Sequence, residues 1–246
     1  MGKIFISCVC CIFFCTGVTM AAENNLVTDK IKTGQGELAI TFLGHATLMV
    51  SYEGKIIHID PVSQYADYSN LPKADLILVT HEHGDHLDLK AIEAIKTDKT
   101  MVVVTENVAQ QVKGGIVLKN GDEKTIQGFQ IAAVPAYNLV NMRSPGVPYH
   151  AKGVGNGYII TCGDKRVYIA GDTENTPEMK SLRQIDIAFL PMNLPYTMTP
   201  EMVSDAAKAF RPKILYPYHY GNTNTQKLID LLRDEKDIEV RIRKMM

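Results

Sequence analysis

The 246-residue chain is 46% hydrophobic and 22% charged, with 26 basic against 27 acidic residues and a formal net charge of −1. So even a balance lacks the basic face by which nucleic acid is bound, so no nucleic-acid partner is expected. Four of the five cysteines are Cys8, Cys10, Cys11 and Cys15; the remainder of the chain, with Cys162 alone, can close no internal disulfide.

In chain order, Lys3 precedes an apolar run from Ile4 to Cys15, and Thr16 to Ala22 ends in TMAA before Glu23. This is the pattern of a signal peptide with cleavage after Ala21 or Ala22, and the run is shorter than the roughly 20 residues a bilayer span takes. We therefore expect a signal peptide over residues 1–22, a single domain over 23–246, export to a periplasmic or secreted setting, and no transmembrane helix in the mature chain. Residues 23–36 read as a polar lead-in. Leu38–Phe42, Thr47–Tyr52 and Ile56–Ile59 read as a β-meander. Ala74–Val79 reads as a buried strand, Leu87–Ile95 as a helix with apolar residues at helical spacing, Met101–Val104 as a strand and Asn107–Val112 as a short helix. Strands follow at Lys124–Val134, Gly157–Thr161, Arg166–Ala170, Ile185–Leu190 and Lys213–Tyr216. Thr199-Pro200-Glu201 opens a helix to Phe210, with an N-cap threonine and proline at the first helical position. Thr225–Asp234 is a last helix, and the alternation of Ile238, Val240 and Ile242 predicts a closing strand. Strands with helices inserted between them suit an α/β domain of two sheets with helices outside.

The chemistry is concentrated in VTHEHGDHLD, residues 79–88. In extended chain, residues two apart face the same way, so His81 and His83 point together. Gly84 permits a sharp turn, after which Asp85 and His86 can face a second point. Two such clusters make a two-metal site, best suited to Zn²⁺ with Mn²⁺ or Fe as alternatives; the bland reading is a histidine-rich surface turn. Two later strands also end on candidate ligands. VYIAGDT ends on Asp172, a carboxylate able to bridge two metals, and KILYPYHYG ends on His219. A plain turn and a satisfied core histidine are the competing readings of these two.

THEHGDH, the later GDT and the late histidine resemble the metallo-β-lactamase superfamily, and FLGHAT followed by HIDP resembles its ascorbate-6-phosphate lactonase-like and N-acylphosphatidylethanolamine phospholipase D-like branch. The resemblance runs from about Leu38 to Gly221. It implies a four-layer αββα sandwich with the metals at one sheet edge. His81 and His83 would hold one metal, Asp85, His86 and His219 the other, with Asp172 between them, and Asp60 would support the metal loop from behind. The pattern departs at VPAYN, residues 134–138, where Asn138 stands in place of a histidine. An amide oxygen is a poor Zn²⁺ ligand beside imidazole. His150 is therefore the favoured replacement, carried by a loop that folds back over the site, with Asn138 as ligand or water holder the alternative.

That loop, residues 138–156, is long for a compact domain and reads as functional. Its Arg143 and Lys152 are read as solvated charges, with contact to an anionic substrate the alternative. His45 is a candidate for support or substrate contact, His58 for a structural role, and Tyr196, Tyr218 and Tyr220 for packing or pocket lining. The resulting expectation is a hydrolase of an ester-type bond (phosphodiester or lactone/ester) using a metal-bridging hydroxide. Asp85 would orient the hydroxide and shuttle a proton, and the substrate would be a small or lipid-derived molecule. The alternative is a binding protein that kept the fold without turnover.

Overall fold

Apolar residues on both faces of a strand demand cover on both sides, and the central strands of this chain have that pattern. The computed structural model describes residues 1–2 and 26–245; the expected signal peptide thus lies outside the described residues apart from Met1 and Gly2. The strands are β1 (Val27–Thr33), β2 (Gly36–Gly44), β3 (Thr47–Tyr52), β4 (Lys55–Ile59), β5 (Leu76–Leu78), β6 (Met101–Val104), β7 (Ile116–Val117), β8 (Glu123–Ile126), β9 (Phe129–Ala136), β10 (Met142–Ser144), β11 (Val147–Pro148), β12 (Gly155–Cys162), β13 (Lys165–Ile169), β14 (Ile187–Pro191), β15 (Ile214–Tyr218) and β16 (Glu239–Val240). The helices are α1 (Leu89–Ile95), α2 (Glu106–Ala109), α3 (Pro177–Lys180), α4 (Pro200–Phe210) and α5 (Thr225–Leu231).

They form two seven-stranded mixed sheets, ordered β1-β2-β3-β4-β5-β6-β7 and β16-β15-β14-β13-β12-β9-β8, and a small ribbon β10-β11. Alternation within β5 shows the layering. Leu76 and Leu78 join the main core with Ile131, Tyr158 and Phe189 of the second sheet. Ile77 and Val79 turn outward onto Ala91, Ile92 and Ile95 of α1. On the far side of the second sheet, α4 presents Val203, Ala206, Ala207 and Phe210 to the core, one stripe at helical spacing. This is the four-layer αββα sandwich of the metallo-β-lactamase type.

Chain direction places the site. β4 and β5 run parallel, as do β13, β14 and β15. β2 and β9 are each two antiparallel steps from these sets, so they end at the same edge. The residues that follow β2, β4, β5, β9, β13, β14 and β15 therefore gather along one rim.

Several expected elements differ. The polar lead-in contains β1, paired along its length with β2. Lys124–Val134 is a hairpin and not one strand: Gln127 and Gly128 both take positive φ, 52° and 90°, the two-residue turn that suits antiparallel strands. The closing strand shortens to β16, which pairs parallel with β15. Helix α4 starts as expected, with the Thr199 hydroxyl accepting from the Met202 N–H and proline in its first turn.

Candidate metal centre

The loop after β5 is anchored before it reaches its histidines. Asp60, just past β4, accepts from the Thr80 N–H at 2.8 Å and from the Thr80 hydroxyl at 2.7 Å. Its Oδ2 also lies 2.8 Å from Nδ1 of His86. Three tip residues, His45, Asp60 and His219, adopt left-handed φ of 52°, 44° and 47°, a region that histidine and aspartate tolerate better than most residues. Gly171 is also left-handed (φ 66°), and a Cβ there would meet the Asn156 carbonyl oxygen at 2.8 Å. Glycine is therefore required where the chain turns to deliver Asp172.

Around Asp172 the side chains form two groups. His81 Nε2 and His150 Nε2 lie 3.1 and 3.2 Å from His83 Nδ1, and His150 Nε2 lies 3.3 Å from Asp172 Oδ2. On the other side, His219 Nε2 is 3.4 Å from both Asp85 Oδ2 and Asp172 Oδ2, and His86 Nε2 is 3.2 Å from Asp172 Oδ1. Four ligands at about 2.0–2.1 Å from a tetrahedral ion stand about 3.3–3.4 Å from one another. Both groups have close to that spacing. His45 adds Nε2 at 3.2 Å from Asp85 Oδ2, and its ring lies over His219 with centroids 3.8 Å apart.

The outer nitrogens are held. The Asn138 Oδ1 accepts from the His150 backbone N–H at 2.8 Å and lies 2.7 Å from its Nδ1. Asn193 Oδ1 lies 2.9 Å from Nδ1 of His219. With Nδ1 of His86, His150 and His219 held by these acceptors, each Nε2 is the nitrogen aimed inward. The Asn138 oxygen is fully engaged by His150, so the geometry favours His150 as the inward-facing group and makes Asn138 its holder.

Burial pushes the His81, His83 and His45 imidazoles below their ordinary range, strongly for His81. Burial also works against charge on His86, but Asp172 and Asp60 on either side push it well above its ordinary range. For Asp85, burial is opposed by the His219 and His45 imidazoles beside its Oδ2; for Asp172, it is opposed by the charge of His219 and His86. Both carboxyls are held well below the usual range. The inner atoms His86 Nε2, His219 Nε2 and Asp172 Oδ1 are buried without a hydrogen-bond partner, a costly state for polar atoms that a cation at their meeting point removes. Imidazole nitrogen with carboxylate oxygen is a donor set that suits a first-row divalent ion, so the residues fit a metal.

A cleft of about 540 Å³ opens over the centre, lined among others by His45, Asp85, Arg143, Tyr149, Asn193 and Tyr196. Arg143 thus borders the cleft, whereas Lys152 is tied to Glu178 at 2.7 Å and does not line it. Tyr218 is buried, its hydroxyl accepting from the Gly171 N–H at 2.8 Å. Tyr220 reaches away to the Arg243 carbonyl at 2.6 Å. His58 is buried within β4, with Nε2 3.0 Å from the Pro72 carbonyl.

The sequence reading missed Asn193 and Glu174. Asn193 follows an apolar strand as the ligand-bearing tips do, and that position was its signal. Glu174 is buried and accepts from the Leu139, Val140 and Asn141 N–H groups at 2.7–2.8 Å and from Asn138 Nδ2 at 3.1 Å. It thereby fixes the start of the loop that carries His150. Its position two residues after Asp172 was the only signal.

Residues 39–219 match the family described as Beta-lactamase superfamily domain. A UPF0173 metal-dependent hydrolase of Methanopyrus kandleri is 32% identical over 75% of this chain and 84% of its own length. Among solved structures, a protein of Parabacteroides distasonis is 52% identical with a TM-score of 0.86, covering 90% of this chain and 100% of that one. Igni18, a metallo hydrolase of Ignicoccus hospitalis, is 28% identical with a TM-score of 0.70, covering 85% and 95%. The chain belongs to the metallo-β-lactamase superfamily and, within it, to the UPF0173 metal-dependent hydrolases. It is accordingly a metal-dependent hydrolase.

Proposed function

We propose that the chain hydrolyses an ester-type bond, a phosphodiester or a lactone/carboxylic ester, with two divalent ions, zinc first and manganese or iron as alternatives. One ion would be held by His81 Nε2, His83 Nδ1 and His150 Nε2, the other by Asp85, His86 and His219, with Asp172 shared. When bound, such ions acidify a water to near neutrality and polarise the scissile carbonyl or phosphoryl oxygen. The residues supply the rest. Asp60, Asn138 and Asn193 accept hydrogen bonds at Nδ1 of His86, His150 and His219, leaving each Nε2 to face an ion. Asp85 is the more exposed carboxylate of the centre, with its side chain 41% exposed against 4% for Asp172. It orients the attacking water by accepting a hydrogen bond from it, while His45 Nε2 steadies its Oδ2.

The observation that carries this reading is the meeting of three buried, unpartnered ligand atoms, His86 Nε2, His219 Nε2 and Asp172 Oδ1, beside the spaced His81, His83 and His150 trio. The cleft volume lies in the range of pockets for small ligands, roughly 300–1,000 Å³, which supports a small substrate or the polar head of a lipid-derived one. The likeness of FLGHAT and HIDP to the lactonase-like and phospholipase D-like branch supports the same bond class. Export to a periplasmic or secreted setting is part of the proposal and rests on residues 1–22 alone.

The test is elemental analysis of protein purified without chelator, with turnover of bis(p-nitrophenyl) phosphate, p-nitrophenyl acetate and a γ-lactone measured on the same samples. Two metals per wild-type chain, falling to about one in His150→Ala with loss of turnover, is the expected result. Two metals retained in that variant, or hydrolysis undiminished in the double variant His83→Ala, Asp172→Ala, overturns it.

A further inference from the structure

Most residues that line the main cleft belong to the metal centre or touch it. Apart from Gly84, three do not: Arg143, Tyr149 and Tyr196. They come from separate places, Arg143 from β10, Tyr149 from just after β11 and Tyr196 from the loop after β14, yet they meet. The Tyr149 and Tyr196 rings pack edge to face with centroids 5.1 Å apart, and the Arg143 guanidinium carbon lies 5.8 Å from the centre of the Tyr149 ring. The two segments are tied to each other. Asn138 Nδ2 donates to the Tyr196 carbonyl at 2.9 Å, and Asn141 Nδ2 donates to the Thr197 carbonyl at 3.0 Å.

Among the described residues, no hydrogen bond or ion pair occupies the Arg143 guanidinium, and no hydrogen bond occupies either phenol hydroxyl. Lys152 of the same loop differs, being paired with Glu178 at 2.7 Å. No Asp or Glu occurs in residues 138–156 or 187–200, so neither segment supplies a counter-ion. The carboxylates that line the cleft, Asp85 and Asp172, both belong to the metal centre. Beside that centre the cleft therefore offers a guanidinium fork and two phenols, with one positive charge and no negative one.

We propose that Arg143, Tyr149 and Tyr196 form a subsite for an oxyanion, a carboxylate or phosphate-type group that the substrate carries away from the bond that is cut. The proposal rests on the hydrolase reading above and adds the chemistry of the substrate's other end. A planar guanidinium matches both kinds of oxyanion with two parallel N–H bonds, and the phenols donate to the remaining oxygen lone pairs. His83, His150 and Asp172 line the same cleft, so a molecule that fills it meets both the metal centre and the subsite. Arg143 would thus determine specificity by binding a group that takes no part in the chemistry.

The experiment uses three compounds that share a propionate for the metal centre and differ at the far end: succinate carries a second carboxylate, 3-phosphonopropionate a phosphonate, and levulinate a neutral acetyl group. Their binding to the metal-loaded protein is measured by calorimetry in wild type, in Arg143→Gln and in the double variant Tyr149→Phe, Tyr196→Phe. In wild type, succinate or 3-phosphonopropionate should bind about tenfold more tightly than levulinate, the scale of a hydrogen bond between charged groups. Which of the two is favoured tells a carboxylate-bearing substrate from a phosphate-bearing one. The preference should vanish in Arg143→Gln and weaken in the double variant. Equal binding of all three compounds in wild type, or binding of none, overturns the proposal. A preference that survives in Arg143→Gln also overturns it, because the charge of the metals alone would then be its source. A preference undiminished in the double variant removes the tyrosines from the subsite and overturns the cluster as drawn. Metal content and hydrolysis of p-nitrophenyl acetate by wild type, measured on the same samples, separate these outcomes from failure of the hydrolase reading, because the preference is read without turnover.

Discussion

Asn138 decides which way His150 faces. One amide oxygen takes both the backbone N–H and the ring of His150, while the amide N–H₂ group donates to Glu174 and to the Tyr196 carbonyl. Asn138→Ala removes that orientation and leaves the ring tautomer free. Metal affinity of the first site should fall about 10- to 100-fold, the usual scale for losing a partner behind a ligand, read by zinc competition against a chromogenic chelator. An unchanged affinity would mean that the loop alone positions His150. His58 carries a different prediction. Burial pushes its pKa from 6.5 down to about 4. The unfolded chain therefore takes up the proton first as pH falls. The full stability is present above about pH 6.5 and is lost progressively toward pH 4. Linkage puts the loss from this residue at about 2 kcal/mol between pH 7.5 and pH 5. The urea midpoint of His58→Gln should decline less over that interval than that of wild type; parallel declines would remove His58 as a cause.

At the scale of elements, α4 shows how local rules build a layer. Thr199 caps the helix, proline occupies its first turn, and Arg211 closes it in the left-handed region with φ 49°. Thr199→Ala should cost about 1 kcal/mol, read by urea unfolding, with metal content unchanged because the helix lies on the face of the second sheet away from the first. The loop from Asn138 behaves differently, because its order comes from a residue outside it. Three consecutive N–H groups converge on Glu174, so Glu174→Ala leaves them to water and frees the loop. We expect a loss of about 2–3 kcal/mol and increased proteolysis between residues 138 and 150. A cleavage pattern identical to wild type would show that the ribbon β10-β11 holds the loop unaided.

For the whole molecule, ligand atoms from the ends of β5, β13 and β15 and from the loop before β12 meet at one rim. Metal bound there ties the two sheets together and stabilises only the folded state. At a thousandfold excess over the dissociation constant that linkage is worth about 4 kcal/mol, or roughly 10 °C in Tm for a chain of this size. Addition of EDTA should lower Tm by about that amount, and zinc should restore it; a Tm indifferent to chelator would contradict metal binding at this rim.

Most of the local chemistry was legible in the sequence. The period of two in H-x-H, the glycine that turns the chain before Asp85 and Asp172, the capped start of α4 and the apolar runs that must be covered on both sides are properties of neighbouring residues, and they define strands, tips and the four layers without reference to distance. The hairpin at Gln127-Gly128 was local too, and its signal was the glycine between two β-rich segments. What tertiary structure alone decided is convergence. Asn193, Glu174 and the pairing of Asn138 with His150 acquire their roles because β9, β12, β13 and β14 lie in that order in one sheet, an order that no residue spacing encodes.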